Sequence, residues 1–198
     1  MFKTRRRNNN AYKVKIKKDK SAHSCLFLAI INGVIDFVLP VMALLFGIII
    51  LIQLKRGPVF VPANPEAVLS MVKLLDVVPG EKAVDLGSGD GRIVIALARA
   101  GAEAHGYEHN IILVWWSRFK IRRAGLSGKA FIHRSNFWKT DFSRFTIFTV
   151  FGIPYIMAPL QEKLSREAAP GARAVSYTFK FPSLKLAGKD NGNYLYRF

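Results

Sequence analysis

The stretch that decides the fold is Ala83-Val-Asp-Leu-Gly-Ser-Gly-Asp-Gly-Arg-Ile-Val-Ile95, where a short apolar strand ends in an acidic residue and turns through three glycines into a helix. Glycines at such a turn let a ligand approach the backbone closely. Twenty-three residues after Asp85, a second apolar strand ends in Gly106-Tyr-Glu108. Because ligands of a doubly wound sheet sit at the carboxyl ends of its strands, the sequence predicts one binding edge formed by Asp85, the loop Gly87–Gly91 and Glu108.

Strand and helix patterns alternate around this motif. Alternation of this kind is typical of an α/β fold, a parallel sheet with helices on both faces. A first helix is predicted from Asn64, the capping residue, with Pro65 in its first turn. A closing hairpin is predicted over 179–198, with 190–193 as its turn. The predicted strands lie near residues 82–86, 103–108, 130–135, 146–151 and 172–177, and the further helices near 91–100, 111–124 and 155–168.

The spacing of the glycines indicates which ligand the loop takes. A dinucleotide-binding loop reads G-x-G-x-x-G and places a pyrophosphate at a helix N-terminus. Here the spacing is G-x-G-x-G, with Asp90 inside it. A carboxylate beside a pyrophosphate is unfavourable, whereas the sulfonium and amino groups of S-adenosylmethionine are cationic. The motif therefore favours that methyl donor, with Asp85, and Asp90 as a second candidate, near its positive charge and Glu108 on its ribose.

Composition narrows the class of protein further. Half of the 198 residues are apolar and 22% are charged, which excludes a disordered tail. Of the net charge of +17, residues 1–24 hold nine Lys or Arg against one Asp, and the rest of the chain carries a milder excess of 21 basic over 12 acidic residues. Such an arm suits nucleic acid or an anionic membrane. One cysteine, Cys25, excludes an intrachain disulfide, and the four histidines show no metal-ligand spacing, so no metal is expected.

The N-terminal third divides into three predicted parts: a basic arm at 1–24, a membrane anchor at 25–54 and a linker at 55–63, ahead of the domain at 64–198. The anchor prediction rests on a nearly continuous apolar run, long enough to reach across a bilayer. Asp36 is costly at mid-bilayer and Pro40 is expected to break or bend a helix. The run is consistent with a membrane helix, with a re-entrant anchor bent near Asp36 to Pro40, and with a buried hairpin of a soluble protein.

The alternatives for the anchor place the catalytic domain on different sides of the membrane. A single span that keeps the basic arm inside puts the domain outside, away from the methyl donor. A re-entrant anchor keeps both ends on one side. The expected location is the cytoplasmic face of a prokaryotic plasma membrane. The basic, acid-poor first 24 residues also resemble a mitochondrial transit peptide, so the alternative is the matrix side of the mitochondrial inner membrane.

Motifs across most of the chain after the anchor resemble one family. The stretch 84–95 is similar to motif I of class I S-adenosylmethionine-dependent methyltransferases. More narrowly, the chain resembles the membrane-anchored protein-lysine N-methyltransferases of the ATP synthase c-subunit and adenine nucleotide translocase type, and their prokaryotic relatives. One departure is Ile111-Ile112, where the family usually has Pro-Trp. The matching pieces are 61–63, 84–96, 106–110, 113–118, 136–139, 150–154 and 179–182.

The resemblance implies a seven-stranded, Rossmann-like, mostly parallel sheet and a set of donor-site residues. Asp85 would lie near the methionine amino group and Glu108 would hold the ribose. Asn136 would reach the adenine amine, although a loop cap is the other interpretation of this residue, and Phe137 would lie near the ring. The implied donor-site residues are Asp85, Gly87, Ser88, Gly89, Gly91, Glu108, Asn136 and Phe137.

The acceptor side is predicted at the end of the fourth strand, at Gly152-Ile153-Pro154. Enzymes that methylate nucleic-acid or glutamine amide nitrogens typically carry Asp/Asn-Pro-Pro-aromatic there, and this chain has no side-chain amide or carboxylate in that turn. That favours an acceptor that is already a good nucleophile, such as a neutral lysine amine. No catalytic base is identified. Candidate residues of the acceptor channel are Phe151, Gly152, Pro154, Tyr155 and Trp138, each of which also fits plain core packing.

The expected function is therefore methyl transfer to a lysine of a membrane protein, with that protein and the lipid bilayer as partners and nucleic acid not expected. The alternatives are methyl transfer to RNA or to a small lipophilic acceptor, and a non-catalytic membrane scaffold that keeps the fold. A nicotinamide oxidoreductase is disfavoured by the glycine spacing. On the helix after the second strand, Trp115 and Trp116 face about 100° apart, so at most one is expected to be fully buried. Core packing is the default, and contact of the other with lipid headgroups or a substrate helix is the alternative.

Overall fold

The structure is a computed structural model that describes residues 32–48 and 60–198. The chain divides into two units, Met1–Val59 and Phe60–Phe198. The basic arm at 1–24 and the linker at 55–59 lie outside the described residues, as do the two ends of the predicted anchor, 25–31 and 49–54.

The larger unit is built on a seven-stranded sheet with the order β3-β2-β1-β4-β5-β7-β6. The first five strands are parallel, and β7 runs antiparallel to both β5 and β6. The order reverses between β1 and β4, so the switch point of the sheet lies there. The strands are β1 (Lys82–Leu86), β2 (Glu103–Glu108), β3 (Ala130–Arg134), β4 (Ile147–Val150), β5 (Arg173–Tyr177), β6 (Gly188–Asp190) and β7 (Asn193–Arg197).

Local sequence explains where the helices begin. The Asn64 side chain accepts a hydrogen bond from the Ala67 N–H, and Pro65 occupies the first turn. The Asn110 side chain accepts one from the Ile112 N–H, so Ile111-Ile112 gives a regularly capped helix. Residues 32–48 are helical (α1), and the other helices are α2 (Pro65–Leu75), α3 (Arg92–Arg99), α4 (Ile111–Arg123) and α5 (Pro154–Glu167).

The core lies on both faces of the sheet, because neighbouring strand residues point to opposite sides. Ala83 and Ile147 belong to the cluster covered by α2, α3 and α4. Val84 and Phe148 belong to the cluster on the other face, which contains α5. Between β3 and β4 there is only a short 3-10 turn, Phe137–Lys139, and the buried Phe142 and Phe145 take the place of a helix there.

The predicted architecture is confirmed in the part of the chain that the structure describes. All five predicted parallel strands are present, with bounds within about one residue of those predicted. The closing hairpin is also present, but its strands begin at Gly188 and not at residue 179. Asn64 and Pro65 start α2 as expected. The expectation that at most one of Trp115 and Trp116 is fully buried is confirmed, but the default of core packing was wrong, because both side chains are exposed, 71% and 53% respectively.

The anchor remains a prediction. In residues 32–48 and 60–198, no helix combines the length and the apolar character that crossing a bilayer requires. Helix α1 continues without interruption through Asp36 and Pro40, so the expected break at Pro40 is not seen.

Candidate functional site

The site begins at Asp85, at the carboxyl end of β1. This side chain is 1% exposed, and one of its oxygens, Oδ1, accepts a hydrogen bond of 2.8 Å from the Thr149 hydroxyl on the neighbouring strand β4. The other oxygen, Oδ2, is buried and has no partner among the described residues. Burial raises the pKa of the Asp85 carboxyl to about 7 against the hydrogen bond from Thr149, and the charges of Glu108 and Asp90 add to the rise.

An unpartnered buried carboxylate oxygen is costly, so its presence at a strand tip points to a ligand group that satisfies it. The hydroxyl of Ser88 is also buried without a partner among the described residues. Both atoms lie within the predicted donor site, next to the switch point of the sheet. A cationic group with N–H donors, such as an amino group, matches the need of Asp85 for both charge and hydrogen bonds.

The glycine loop turns tightly at this edge. Gly87, Gly89 and Gly91 have φ of +83°, +52° and +76°, a region that other residues rarely adopt. The N–H groups of Gly87 and Ser88 both donate to the Tyr107 carbonyl at the end of β2, at 3.0 Å each. The loop is therefore fixed to the neighbouring strand, and a Cβ at Gly87 would meet nothing within 4 Å. That open backbone is the surface over which a ligand can pass.

Glu108 completes the loop from the tip of β2. Its Oε2 accepts from the Gly89 N–H at 2.9 Å, and its Oε1 accepts from the Asn110 N–H at 2.7 Å. Each carboxylate oxygen can take a second hydrogen bond, so the group keeps capacity for two hydroxyl donors. Glu108 thus positions the glycine loop as well as offering acceptors, a double role that the sequence did not indicate.

Asp90 does not face a ligand as a free carboxylate. Its two oxygens accept from Arg92 Nε and Nη2 at 2.9 Å, and Lys120 Nζ donates to it at 2.8 Å. Burial alone would raise the pKa of Asp90, but these hydrogen bonds outweigh it and hold the pKa at about 2. The role of Asp90 beside the donor's positive charge remains a prediction, and the structure shows that Arg92 of α3 and Lys120 of α4 already pair with this carboxylate.

Three further residues shape the loop. Thr149 holds Asp85, as described above. Ser117 of α4, fully buried, donates to the Gly89 carbonyl at 2.8 Å. The ring of Phe60 lies over Gly89, where a Cβ would overlap the ring. None of the three was predicted from the sequence, although an isolated Thr in the buried strand β4 and an isolated Ser in α4 are detectable signals.

Asn136 and Phe137 follow β3, the strand beyond β2. The Asn136 side chain is exposed and its oxygen accepts from the Trp138 N–H at 3.0 Å, so it caps the 3-10 turn, which was the other interpretation of this residue. Phe137 and Trp138 contact each other, with ring centroids 4.9 Å apart, and pack against the α5 face of the core. The structure therefore places them two strands from Asp85, and their roles remain predictions.

The predicted acceptor residues follow β4, on the other side of β1. Phe151 packs against Tyr177, with ring centroids 4.7 Å apart, on the face covered by α2 to α4. Gly152 is buried against Met157, Pro154 begins α5, and Tyr155 is 72% exposed. Trp138 packs on the opposite face, so the structure does not bring the channel candidates together as one wall.

In the part of the chain that the structure describes, no group of His, Cys, Asp and Glu side chains is arranged to hold a metal ion. The groups that can hold a ligand are therefore the Asp85 and Glu108 carboxylates and the open backbone between them. They occupy the tips of two adjacent parallel strands, beside the switch point. This arrangement suits a cationic nucleoside: one carboxylate for its positive group, the other for its sugar hydroxyls.

Comparison with known proteins identifies related chains. The family model of the ANTKMT methyltransferase domain matches residues 85–187. A relative in Rattus norvegicus, a lysine N-methyltransferase of the ATP synthase c-subunit, is 46% identical over 123 residues, which are 62% of this chain and 56% of that protein. A protein-lysine N-methyltransferase of Saccharolobus islandicus is 33% identical, over 61% of this chain and 76% of that protein.

Two further findings qualify these matches. The chain spans about half the length of the mammalian relatives, 56%, 52% and 49% of them. Among solved structures, an RNA methyltransferase from Salinibacter ruber, in complex with S-adenosyl-L-homocysteine, is similar with a TM-score of 0.66 and 31% identity. The similarity covers 70% of this chain and 92% of that one.

Proposed function

The chain belongs to the family of the ANTKMT methyltransferase domain, and from that premise we propose that it transfers a methyl group from S-adenosylmethionine to a lysine of a membrane protein. The observation that carries the proposal is the pair of carboxylates, Asp85 and Glu108, at adjacent strand tips around an open glycine turn. Relatives that are named as protein-lysine N-methyltransferases support the choice of acceptor.

The residues present fit this donor. The buried, unpartnered Oδ2 of Asp85 can accept from an amino group, and the second lone pairs of Glu108 can accept from two ribose hydroxyls. The Gly87 backbone leaves room for close approach. We propose Asp85, Gly87, Ser88, Gly89, Gly91 and Glu108 as donor-site residues, with Asn136 and Phe137 on the adenine side.

When bound, S-adenosylmethionine supplies an electrophilic methyl group. The lone pair of the lysine Nζ forms the new bond to the methyl carbon while the carbon–sulfur bond breaks and its electrons stay on sulfur, and the amine then loses a proton to water. The chain's task is to align the amine and exclude water. Alignment of this kind can contribute on the order of 7–11 kcal/mol. The turn Phe151-Gly152-Ile153 carries no titratable side chain, which suits an amine that arrives neutral.

We propose that the enzyme works at a membrane, held by residues 25–54. The apolar sequence of this run supports the proposal, as does a relative that is named after the c-subunit of ATP synthase. The catalytic domain then faces the compartment that holds the donor, the cytoplasm of a prokaryote or, in the alternative, the mitochondrial matrix.

Isothermal titration with S-adenosylhomocysteine tests the donor site. Glu108→Gln removes the charge and keeps one acceptor oxygen, so the N–H of either Gly89 or Asn110 then faces the amide nitrogen. It should weaken binding by about 1.5–3 kcal/mol and destabilise the fold less than Glu108→Ala does. Glu108→Ala should also lower the melting temperature, because the N–H groups of Gly89 and Asn110 lose their acceptor. Unchanged affinity in the folded Gln variant would contradict the ribose assignment.

A second candidate is methyl transfer to RNA, favoured by the similarity to the Salinibacter ruber RNA methyltransferase and by the basic arm. Incubation of the full chain and labelled donor with membranes, and separately with total RNA, distinguishes the two. Label that mass spectrometry locates on lysine of a membrane protein supports the first proposal. Label in RNA alone would replace it with the second, and label in neither, without donor binding, would indicate a non-catalytic scaffold.

A further inference from the structure

Helix α4 presents an exposed apolar face that neither the fold nor the proposed site uses. It consists of Ile111, Ile112, Trp115, Trp116 and Phe119, which we call the α4 aromatic face. Their side chains are 45%, 69%, 71%, 53% and 48% exposed. The rings of Trp116 and Phe119 stack with centroids 5.6 Å apart. Contiguous apolar surface that includes two tryptophans marks an interaction site on a folded domain.

The face lies opposite the buried side of the helix. With about 100° of rotation per residue, the five exposed side chains fall within an arc of about 140°. Val114, Ser117 and Ile121, which are buried against the sheet, fall in an arc centred on the opposite side. The exposed face is therefore one surface, formed by residues of a single helix.

Positive charge borders this surface. The sequence of α4 contains no carboxylate, and Arg122 and Arg123 fall in the same arc, one turn beyond Phe119. Both are exposed, and neither forms an ion pair with any residue that the structure describes. By contrast, Lys120 pairs with Asp90, and Arg118 donates to the Ile132 carbonyl at 2.8 Å. The two arginines at the end of the face are thus available to an anionic partner.

We propose that the α4 aromatic face docks on the anionic lipid surface of a bilayer. Tryptophan rings prefer the boundary between headgroups and acyl chains, where an apolar body and a polar N–H are both satisfied. An interfacial helix buries its apolar face there while its arginines meet anionic headgroups. This partner matches the surface in polarity and in charge, because isoleucine, tryptophan and phenylalanine share one arc of the helix and arginine lies at its end.

A second copy of the chain fits the surface less well. A symmetric dimer would pack the same face against itself, since two-fold interfaces are self-complementary. Arg122 and Arg123 of one copy would then lie among the arginines of the other, and α4 has no carboxylate to offset them. Lipid phosphates supply the missing negative charge.

Docking through α4 also orients the proposed site. The helix begins three residues after Glu108, and Ser117 in its second turn holds the Gly89 carbonyl. The carboxyl edge of the sheet would therefore lie close to the bilayer, independently of the segment 25–54. The proposal needs no methyl donor and goes beyond the proposed activity.

Tryptophan fluorescence tests it, because the chain has only Trp115, Trp116 and Trp138. Single-tryptophan variants of the full chain, made with Trp→Phe at the other two positions, are mixed with anionic vesicles that contain brominated phospholipid. Trp115 and Trp116 should lose emission, whereas Trp138, which is half-buried against the core, should keep it. Arg122→Gln with Arg123→Gln should reduce the quenching of Trp115, and Lys73→Gln, at an exposed position of α2, is the control. Circular dichroism checks the fold of each variant.

Each other outcome would overturn the proposal. Trp115 and Trp116 that stay as bright as Trp138 in the presence of the vesicles would show that this face does not meet lipid. Emission that changes with protein concentration instead of with lipid would assign the face to a second copy. Equal quenching with purely zwitterionic vesicles, unaffected by the arginine substitutions, would exclude recognition of anionic headgroups.

Discussion

At the scale of single residues, the most unusual group is the Asp85 carboxyl. It is buried, one oxygen lacks a partner among the described residues, and its pKa is about 7 instead of near 4. A protein normally avoids such a group, because an ionised carboxylate without full hydrogen bonding destabilises the fold. Because it lies at the centre of the proposed donor site, we infer that Asp85 lowers the stability of the fold and strengthens binding of the donor.

Asp85→Asn should therefore stabilise the protein, and the effect should depend on pH. Because the folded-state pKa lies above the unfolded value near 4, the folded protein binds the proton more tightly, and stability falls as pH rises from 4 to 7. The Asn variant avoids this loss, which is on the order of 4 kcal/mol for a shift of about three units. Chemical denaturation should show equal stability near pH 4 and a more stable variant at pH 8.

The same substitution should weaken binding of S-adenosylmethionine. Only ionised Asp85 attracts a cationic amino group, so wild-type affinity for S-adenosylmethionine should fall about tenfold per pH unit well below pH 7. Asp85→Asn should bind weakly at all pH values. A variant whose affinity follows the wild-type pH profile would show that another group titrates.

At the scale of elements, the glycine turn packs tightly against α4. A Cβ at Gly91 would lie 2.9 Å from the Ser117 Cβ, which is fixed on the helix, whereas a Cβ at Gly87 would meet nothing within 4 Å. Both glycines have positive φ, so the two positions differ mainly in their surroundings. Alanine substitutions at the two glycines can therefore be compared directly.

Gly87→Ala should cost about 1–2 kcal/mol of stability through its backbone conformation alone. Gly91→Ala should cost a further 1–3 kcal/mol or so, because α4 must shift to admit the methyl group. Donor affinity should show the reverse order, since only Gly87 lies at the open backbone. Melting curves and titration of both variants check this, and equal effects on stability would contradict the packing argument.

The sequence predicts the bounds of the strands and helices better than it predicts the contacts between them. The strands of the sheet were predictable, because β1 and β4, for example, are short and mostly apolar and are followed within two residues by a glycine. The pairing of Asp90 was not, since Lys120 lies thirty residues away and only the packing of α4 brings it near. The sequence indicated that at least one of Trp115 and Trp116 is not fully buried but not that both are exposed, because the continuous apolar run 111–116 does not define a single buried side.

At the scale of the whole molecule, we predict that the two units have separate functions, donor binding in one and membrane attachment in the other. Every described contact of the proposed donor site lies in residues 60–198, from Phe60 on the glycine loop to Thr149 on β4. The proposed anchor lies entirely in the other unit. Donor binding and delivery to a membrane target should therefore be separable.

A chain reduced to residues 60–198 should bind S-adenosylhomocysteine with unchanged affinity and methylate a soluble peptide bearing the target lysine as fast as the full chain does. Its labelling of the same lysine in membranes should fall, because the effective concentration at the bilayer that tethering provides is lost. The α4 aromatic face should preserve part of that labelling, so Trp115→Ser within the shortened chain should lower it further. Leu69→Ser, at an exposed position of α2, should not. Full labelling of membranes by the shortened chain would mean that residues 1–59 do not deliver the enzyme, and that α4 is sufficient.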